Sequence, residues 1–276
     1  MQVNNESIAG VLHHKHSEAH YRLRRYFPDQ VFSGFIEQFW LVDWHLSNEN
    51  EHTQQNLPDP NFHLVISERD VKLLGPVSKT YSYSMKGQGR IIGIKFEIGG
   101  LINLLTEPMT EYIDKELKAA DIFGSAVQDV LLPLYKEGCD SKVINALQEY
   151  FKVFVSGCSK QQIATQKLVS IIKNNQDIYK VEQLSVLTNI SSRAIQRYFL
   201  RYVGLPPKWL IRKYRLSHVL KELESSSVNV LDIVTKLEYA DQSHLIKDFN
   251  DFLGVTPGKY IKAPHSRFMT KALPER

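Results

Sequence analysis

The sequence predicts an α+β chain in two parts: an N-terminal mixed β/α domain, read as a small barrel or sandwich, and an all-α domain with two helix-turn-helix units. Three observations predict it. Short β-branched and aromatic runs separated by turn residues fill positions 26–100. Apolar residues recur at three- and four-residue spacing over 101–156 and again from 163 onward. Finally, RYFLRYVGLPPKWL (197–210) and KDFNDFLGVTPGKY (247–260) match at an offset of 50, pairing Phe199 with Phe249, Gly204 with Gly254 and Pro207 with Pro257.

Taken in order, residues 1–25 are polar and His-rich, with His13, His14, His16 and His20. They read as a loosely packed start whose His spacing is not that of a closed metal site. Residues 26–156 form the first domain. Its strand-like runs are FIEQFWLVDWHL, FHLVIS, VKLLGPV and RIIGIKFEIGG, and LPDPN, ERD, Gly75–Pro76 and KGQG are the turns between them. LINLLTEPM, AVQDVLLPLYK and SKVINALQEYFKVFV then read as helices. A small polar stretch places a linker at 157–162. Residues 163–262 form the helical domain, and 263–276 a tail.

Composition sets bounds on the whole. With 276 residues, 43% hydrophobic and 23% charged, the chain is ordinary for a soluble globular protein. Cys139 and Cys158 are too few and too far apart for a disulfide scaffold or a CxxC pair, and read as isolated buried thiols. No apolar run is long enough for a membrane helix, and MQVNNESIAG lacks a signal peptide's basic and apolar regions. The expectation is a cytoplasmic protein with no membrane partner. Charge is uneven: residues 1–160 hold 16 Lys+Arg against 20 Asp+Glu, and residues 161–276 hold 18 against 10. A basic half behind an acidic one suggests a polyanion-binding module attached to something else.

The repeat sharpens that suggestion. VEQLSVLT, a tight turn at Asn189–Ile190, and a helix over Ser192–Tyr202 capped by Ser191 make a helix-turn-helix. Ile195, Phe199 and Tyr202 share one face, which packs inward; Arg193, Gln196, Arg197 and Arg201 lie on another. Arg can pair bidentately with guanine and Gln with adenine in a major groove, while Arg201 is better placed for a phosphate. The second unit repeats the plan: LDIVTKL, a turn at Glu238–Tyr239–Ala240, an Asp241 cap and a helix over Gln242–Leu253. Leu245, Phe249 and Phe252 face its core, and Gln242, Ser243, His244 and Lys247 face outward. The long helix WLIRKYRLSHVLKEL between the units is a rigid strut that could set two recognition helices into successive major grooves.

These residues resemble the DNA-binding domain of AraC-type transcriptional regulators. EYADQSHLIKDFNDFLGVTPGKYI resembles the family's GFxDxSHFxRxFKxxxGxTPxxYR, and SSRAIQRYFLRYVGLPPKWL resembles SxRxLxRxFxxxxGxSPxxYL. The resemblance covers about 100 residues. It implies base reading by Arg193, Gln196 and Arg197 in the first unit and by Gln242, Ser243, His244 and Lys247 in the second. It implies double-stranded DNA, RNA polymerase, a small-molecule effector and a second copy of the chain as partners. The sequence departs from the pattern at Glu238, Asp248 and Asp251. Residues 181–217 hold seven Lys+Arg and one acid; residues 218–262 hold five and seven. The first unit is therefore expected to supply most of the affinity.

FIEQFWLVDW, LPDPNFHLVIS and IIGIKFEIGGLINLL resemble an uncharacterised domain found ahead of this DNA-binding domain in some AraC-type proteins. In better-known relatives that half is a cupin-like β-barrel that binds an effector or dimerises, which implies a sensor. Trp40, Trp44, His45 and His63 are the candidate effector-binding residues, with plain barrel core as the alternative for the aromatics. Asp59 and His63 flank a Pro-rich turn and could meet a polar effector or metal, or simply satisfy the turn. No GxSxG, P-loop, GxGxxG or HExxH motif occurs, so no enzyme activity, cofactor or metal is expected. A cupin-like metalloenzyme fused to a DNA-binding domain is the enzyme alternative. The remaining alternative is a constitutive DNA-binding activator whose N-terminal half only dimerises.

Overall fold

The computed structural model describes residue 12 and residues 19–47, 51–225 and 242–262. The predicted helix LDIVTKL, the turn at 238–240, the Asp241 cap, the tail and His13, His14 and His16 lie outside the described residues.

The N-terminal half is built on strands β1 (Tyr21–Tyr26), β2 (Ile36–His45), β3 (Glu51–Asn56), β4 (His63–Ile66), β5 (Val71–Leu74), β6 (Tyr81–Lys86), β7 (Gln88–Phe96) and β8 (Glu116–Lys118). Six of them form one antiparallel sheet in the order β1-β2-β7-β4-β5-β8, while β3 and β6 pair as a separate ribbon. This pairing leaves β1 and β8 as edges instead of closing a ring. The strong Ile-rich run became β7, at the middle of the sheet. The segment read as loosely packed is strand from Tyr21 on. Its charge is tolerated because Arg24 reaches Asp43 and Asp140, each at 2.5 Å, which tie β1 to β2 and to the helical layer.

Alternation gives the sheet two apolar faces. Phe39, Leu41, Leu64, Ile66, Leu73, Ile92, Ile94 and Phe96 point to one side. Helices α1 (Ala119–Phe123), α2 (Val127–Leu131) and α3 (Asp140–Phe151) cover it with Phe123, Leu131, Leu147 and Phe151. Tyr21, Val42, Trp44 and Ile91 point to the other side and meet Met85 of the ribbon. LINLLTEPM is not the predicted helix. After Gly99 and Gly100 its backbone makes only short i→i−3 turns, Ile102 to Gly99 and Leu104 to Leu101. Pro133 likewise shortens AVQDVLLPLYK, whose second half is a 3₁₀ turn.

The C-terminal half comprises α4 (Lys160–Asn174), α5 (Val181–Thr188), α6 (Ser192–Tyr202), α7 (Pro207–Ser225), α8 (Gln242–Leu253) and α9 (Pro257–Lys262). The predicted linker runs only to Ser159. Its hydroxyl accepts from Gln162 N at 3.1 Å and starts α4 at Lys160, so residues 160–162 are the first turn of a helix. Neither thiol is deeply buried: Cys139 is exposed and Cys158 half-buried, and both are free.

The two halves share their cores. Ile98 of the first half packs with Leu168, Leu184, Ile195, Phe199, Tyr202 and Leu210. Leu12 and Leu57 pack with Leu216, Leu245, Phe249 and Phe252. The Gly34 carbonyl accepts from Gln162 Nε2 at 3.3 Å and Gln166 Nε2 at 3.4 Å. Thr80 N donates to the Phe252 carbonyl at 3.2 Å.

Candidate nucleic-acid interface

Local signals build the first unit as read. Asn189 ends α5 in the left-handed region at φ +54°, and the Ser191 hydroxyl accepts from Ala194 N at 3.3 Å to open α6. Ile195, Phe199 and Tyr202 are buried on one face of α6, and Tyr202 OH shares a 2.9 Å hydrogen bond with the Ser159 hydroxyl. This anchors the helix on its inner side. Arg193, Gln196, Arg197 and Arg201 are all exposed on its outer side. Among the described residues, none of these three guanidiniums has a carboxylate within 4 Å. Arg197 and Arg201 lie instead along the Tyr198 and Tyr202 rings, at 5.8 and 5.5 Å. Unneutralised guanidiniums on a rigid helix face are suited to phosphates and guanine edges.

In the second unit Leu245, Phe249 and Phe252 are buried and Gln242, Ser243, His244 and Lys247 are exposed. The structure refines the meaning of its acids. Asp248 is buried and accepts from Arg212 Nε at 2.7 Å and Arg215 Nη2 at 3.1 Å, both on α7. Arg212 also pairs with Asp251 and stacks over the Phe252 ring at 5.4 Å. These carboxylates therefore fasten α8 to the strut and are neutralised there, so the formal charge count overstates the negative surface that the unit presents. Sequence reading placed Asp248 only as a departure from the motif. The signal was available, since residues 245, 248, 249 and 252 form one i, i+3, i+4, i+7 stripe.

Of the candidate effector residues, the structure brings two together. The Trp40 and His63 rings are 6.3 Å apart. His63 Nε2 stands 3.8 Å from Asp59, the carboxylate the Pro-rich turn supplies. Trp44 lies further along β2. It packs edge-on against Tyr83 and donates Nε1 to the Lys86 carbonyl at 3.1 Å. His45 is exposed at the strand end. Asp59 forms a partly buried ion pair with Lys95 at 2.9 Å. Burial pushes the Asp59 carboxyl up, but Lys95 and His63 pull it well below the usual carboxylate range. Among the described residues, no group of three or more His, Cys, Asp or Glu is arranged to hold a metal ion. No helix there is long and apolar enough to cross a membrane.

Residues 24–118 match the family model described as a domain of unknown function (DUF6597), and residues 184–263 match a helix-turn-helix domain. An uncharacterized HTH-type transcriptional regulator of Haemophilus influenzae is 26% identical over 175 residues, 58% of each chain. The chain thus spans little more than half the length of that relative. The HTH-type transcriptional activator AarP of Providencia stuartii is 28% identical over 101 residues, 37% of this chain and 75% of that one. Among solved structures, ToxT of Vibrio cholerae aligns over 87% of this chain and 97% of its own, with 13% identity and a TM-score of 0.38. Most of the α5–α6 unit and all of α8 fall within the span that matches the helix-turn-helix model, and the six-stranded sheet within or beside the span that matches DUF6597.

Proposed function

We propose that the chain binds specific sites on double-stranded DNA through α6 and α8 and regulates transcription from them, under control of a small molecule held by the N-terminal half. The observation that carries the DNA reading is α6 itself. Its apolar face is locked into the core, while Arg193, Arg197 and Arg201 stand exposed beside Gln196 without a carboxylate partner among the described residues. Regulation is favoured over constitutive binding because both unit cores incorporate N-terminal residues, Ile98 in one and Leu12 and Leu57 in the other. A rearrangement of the N-terminal half would therefore be felt by both units. In this role the chain works in the compartment that holds the DNA, as a regulator and not an enzyme, with RNA polymerase and a second copy of itself as further partners.

The first unit carries most of the affinity in this proposal, since α6 offers three guanidiniums and α8 one exposed ammonium, Lys247. The test is selection of bound fragments from genomic DNA, followed by titration of the selected site against salt. Arg197→Ala should weaken binding by about 1–3 kcal/mol and relax one base position, while Lys247→Ala weakens it less and uniformly across sequences. Absence of binding at low salt would refute the DNA reading, and a larger loss from Lys247→Ala would reverse the ranking of the units.

A further inference from the structure

One side chain of α6 serves neither its packing nor its charge. Leu200 is 60% exposed. At 3.6 residues per turn it stands about one turn beyond Gln196 and Arg197, inside the arc that those two share with Arg193. Ile195, Phe199 and Tyr202 fill the opposite, buried face. The Arg197 and Arg201 guanidiniums lie along the Tyr198 and Tyr202 rings. Around the helix both rings are on the far side of the arginines from Leu200, so the arginines leave it uncovered. Val186 and Leu187 are exposed too, but on α5. Leu200 stands among the base-reading candidates.

Beside Leu200 the surface is hollowed into a groove of about 660 Å³. Gln196 and Leu200 form its α6 wall, and the starts of α5 and α7 supply Lys180, Glu182, Pro207 and Lys208. Both lysines are exposed, and among the described residues neither is paired with a carboxylate. Glu182, the acid on this lining, offsets one of the two charges. The groove thus continues the face that carries Gln196, with an apolar patch at Leu200 and a cationic rim. Ammonium groups suit the phosphates of a passing strand. A leucine gains nothing from phosphates or from the polar edges of bases. The apolar group that a major groove presents is the C5-methyl of thymine.

We propose that Leu200 is a specificity-determining residue of the first unit. It packs on the C5-methyl of a thymine next to the base pairs read by Gln196 and Arg197, while Lys180 and Lys208 hold phosphates of the strand that runs along the groove. One position of the site is then read by apolar contact instead of hydrogen bonding. This role rests on the DNA reading of α6. Burial of one methyl group sets its size, about fourfold in affinity.

Uracil differs from thymine only by lacking that methyl group. The test replaces each thymine of the site selected from genomic DNA by deoxyuridine in turn and titrates the full chain against each duplex. One replacement in the first unit's half-site should weaken binding about fourfold. Leu200→Ala should keep the Tm, because the side chain is exposed, and should bind the thymine and uracil duplexes equally. Leu200→Met keeps an apolar reach and should still prefer thymine. Arg197→Ala should weaken both duplexes and leave the preference intact. Lys180→Ala and Lys208→Ala should each lower the salt slope by about 1. A half-site without a preferred thymine, indifference to uracil, or a thymine preference that survives Leu200→Ala would overturn the role of Leu200, and unchanged salt slopes that of the lysines. Any of these results in a chain that still binds its site specifically leaves the DNA reading standing. Absence of binding at low salt removes both.

Discussion

Replacing Lys213 by methionine should make the protein more stable, which is unusual for a buried position. The ammonium is surrounded by Tyr214, Asp59, Lys95, Lys173 and Glu37, yet it is in bonding distance of no carboxylate. Burial pulls its pKa from the usual 10.5 down to about 8. That difference corresponds to about 3 kcal/mol of penalty on the charged form at neutral pH. Methionine removes the penalty and gives up the contact with the Tyr214 ring, about 1 kcal/mol. A net gain of about 2 kcal/mol should raise Tm by about 4–8 °C in a chain of this size. The pH dependence is the sharper test. The folded value lies below the unfolded one, so the penalty is full below pH 8 and fades as pH rises from 8 towards 10.5. Urea denaturation of both proteins at pH 7 and pH 10 should therefore show the variant's advantage shrinking towards zero. A variant less stable at pH 7 by more than about 1 kcal/mol would refute the view of Lys213 as an unpaired buried charge.

The twin glycines of the repeat give a paired test. Both hold left-handed φ angles, +76° at Gly204 and +69° at Gly254, but a Cβ at Gly204 would meet Met109 at 2.9–3.1 Å whereas none would be met at Gly254. Gly254→Ala should cost about 1 kcal/mol by calorimetry and Gly204→Ala at least twice that; equal losses would show that the Met109 contact gives way freely. Asp248→Ala leaves Arg212 and Arg215 with fewer partners on a surface they share with solvent. It should cost about 2 kcal/mol in urea and weaken DNA binding through the second unit, and an unchanged midpoint would mean that α8 is held by its apolar stripe alone.

The helix-turn-helix was legible because its signals are local. Asn189, Ser191 and the 195–199–202 stripe act within a turn or two of chain, and the repeat supplies them twice. The hidden elements depend on distant partners. YRLRRY carries three arginines in six residues and reads as surface, until Asp43 and Asp140 account for Arg24. EHTQQN is polar throughout and is not among the strand-like runs, yet as β3 it buries Gln54, which accepts from Tyr21 OH and donates to the Leu12 carbonyl, both at 3.1 Å. For the candidate sites, exposure of the outer faces of α6 and α8 follows from helical period alone. The candidate effector residues divide because Trp40 and Trp44 share a strand face but different neighbours across the sheet. Lys213 escaped notice although it is spaced as a core position, three residues after Leu210 and three before Leu216; lysine at such a spacing is a signal in itself.

The Gly34 carbonyl, with its donors from Gln162 and Gln166, bears on the modularity of this architecture. Helix-turn-helix domains are readily imagined as interchangeable cassettes joined through a slack connector. Here the first helix of the cassette is bolted to its neighbour from its opening turn. A fragment beginning near residue 157 would bare the surfaces that meet Ile98, Leu12 and Leu57 and should be sticky when expressed alone. A chimera carrying this N-terminal half on another cassette would need glutamines at the matching positions of its first helix. The two halves are then expected to change in step, so substitutions near residue 34 would be matched by changes at 162 and 166.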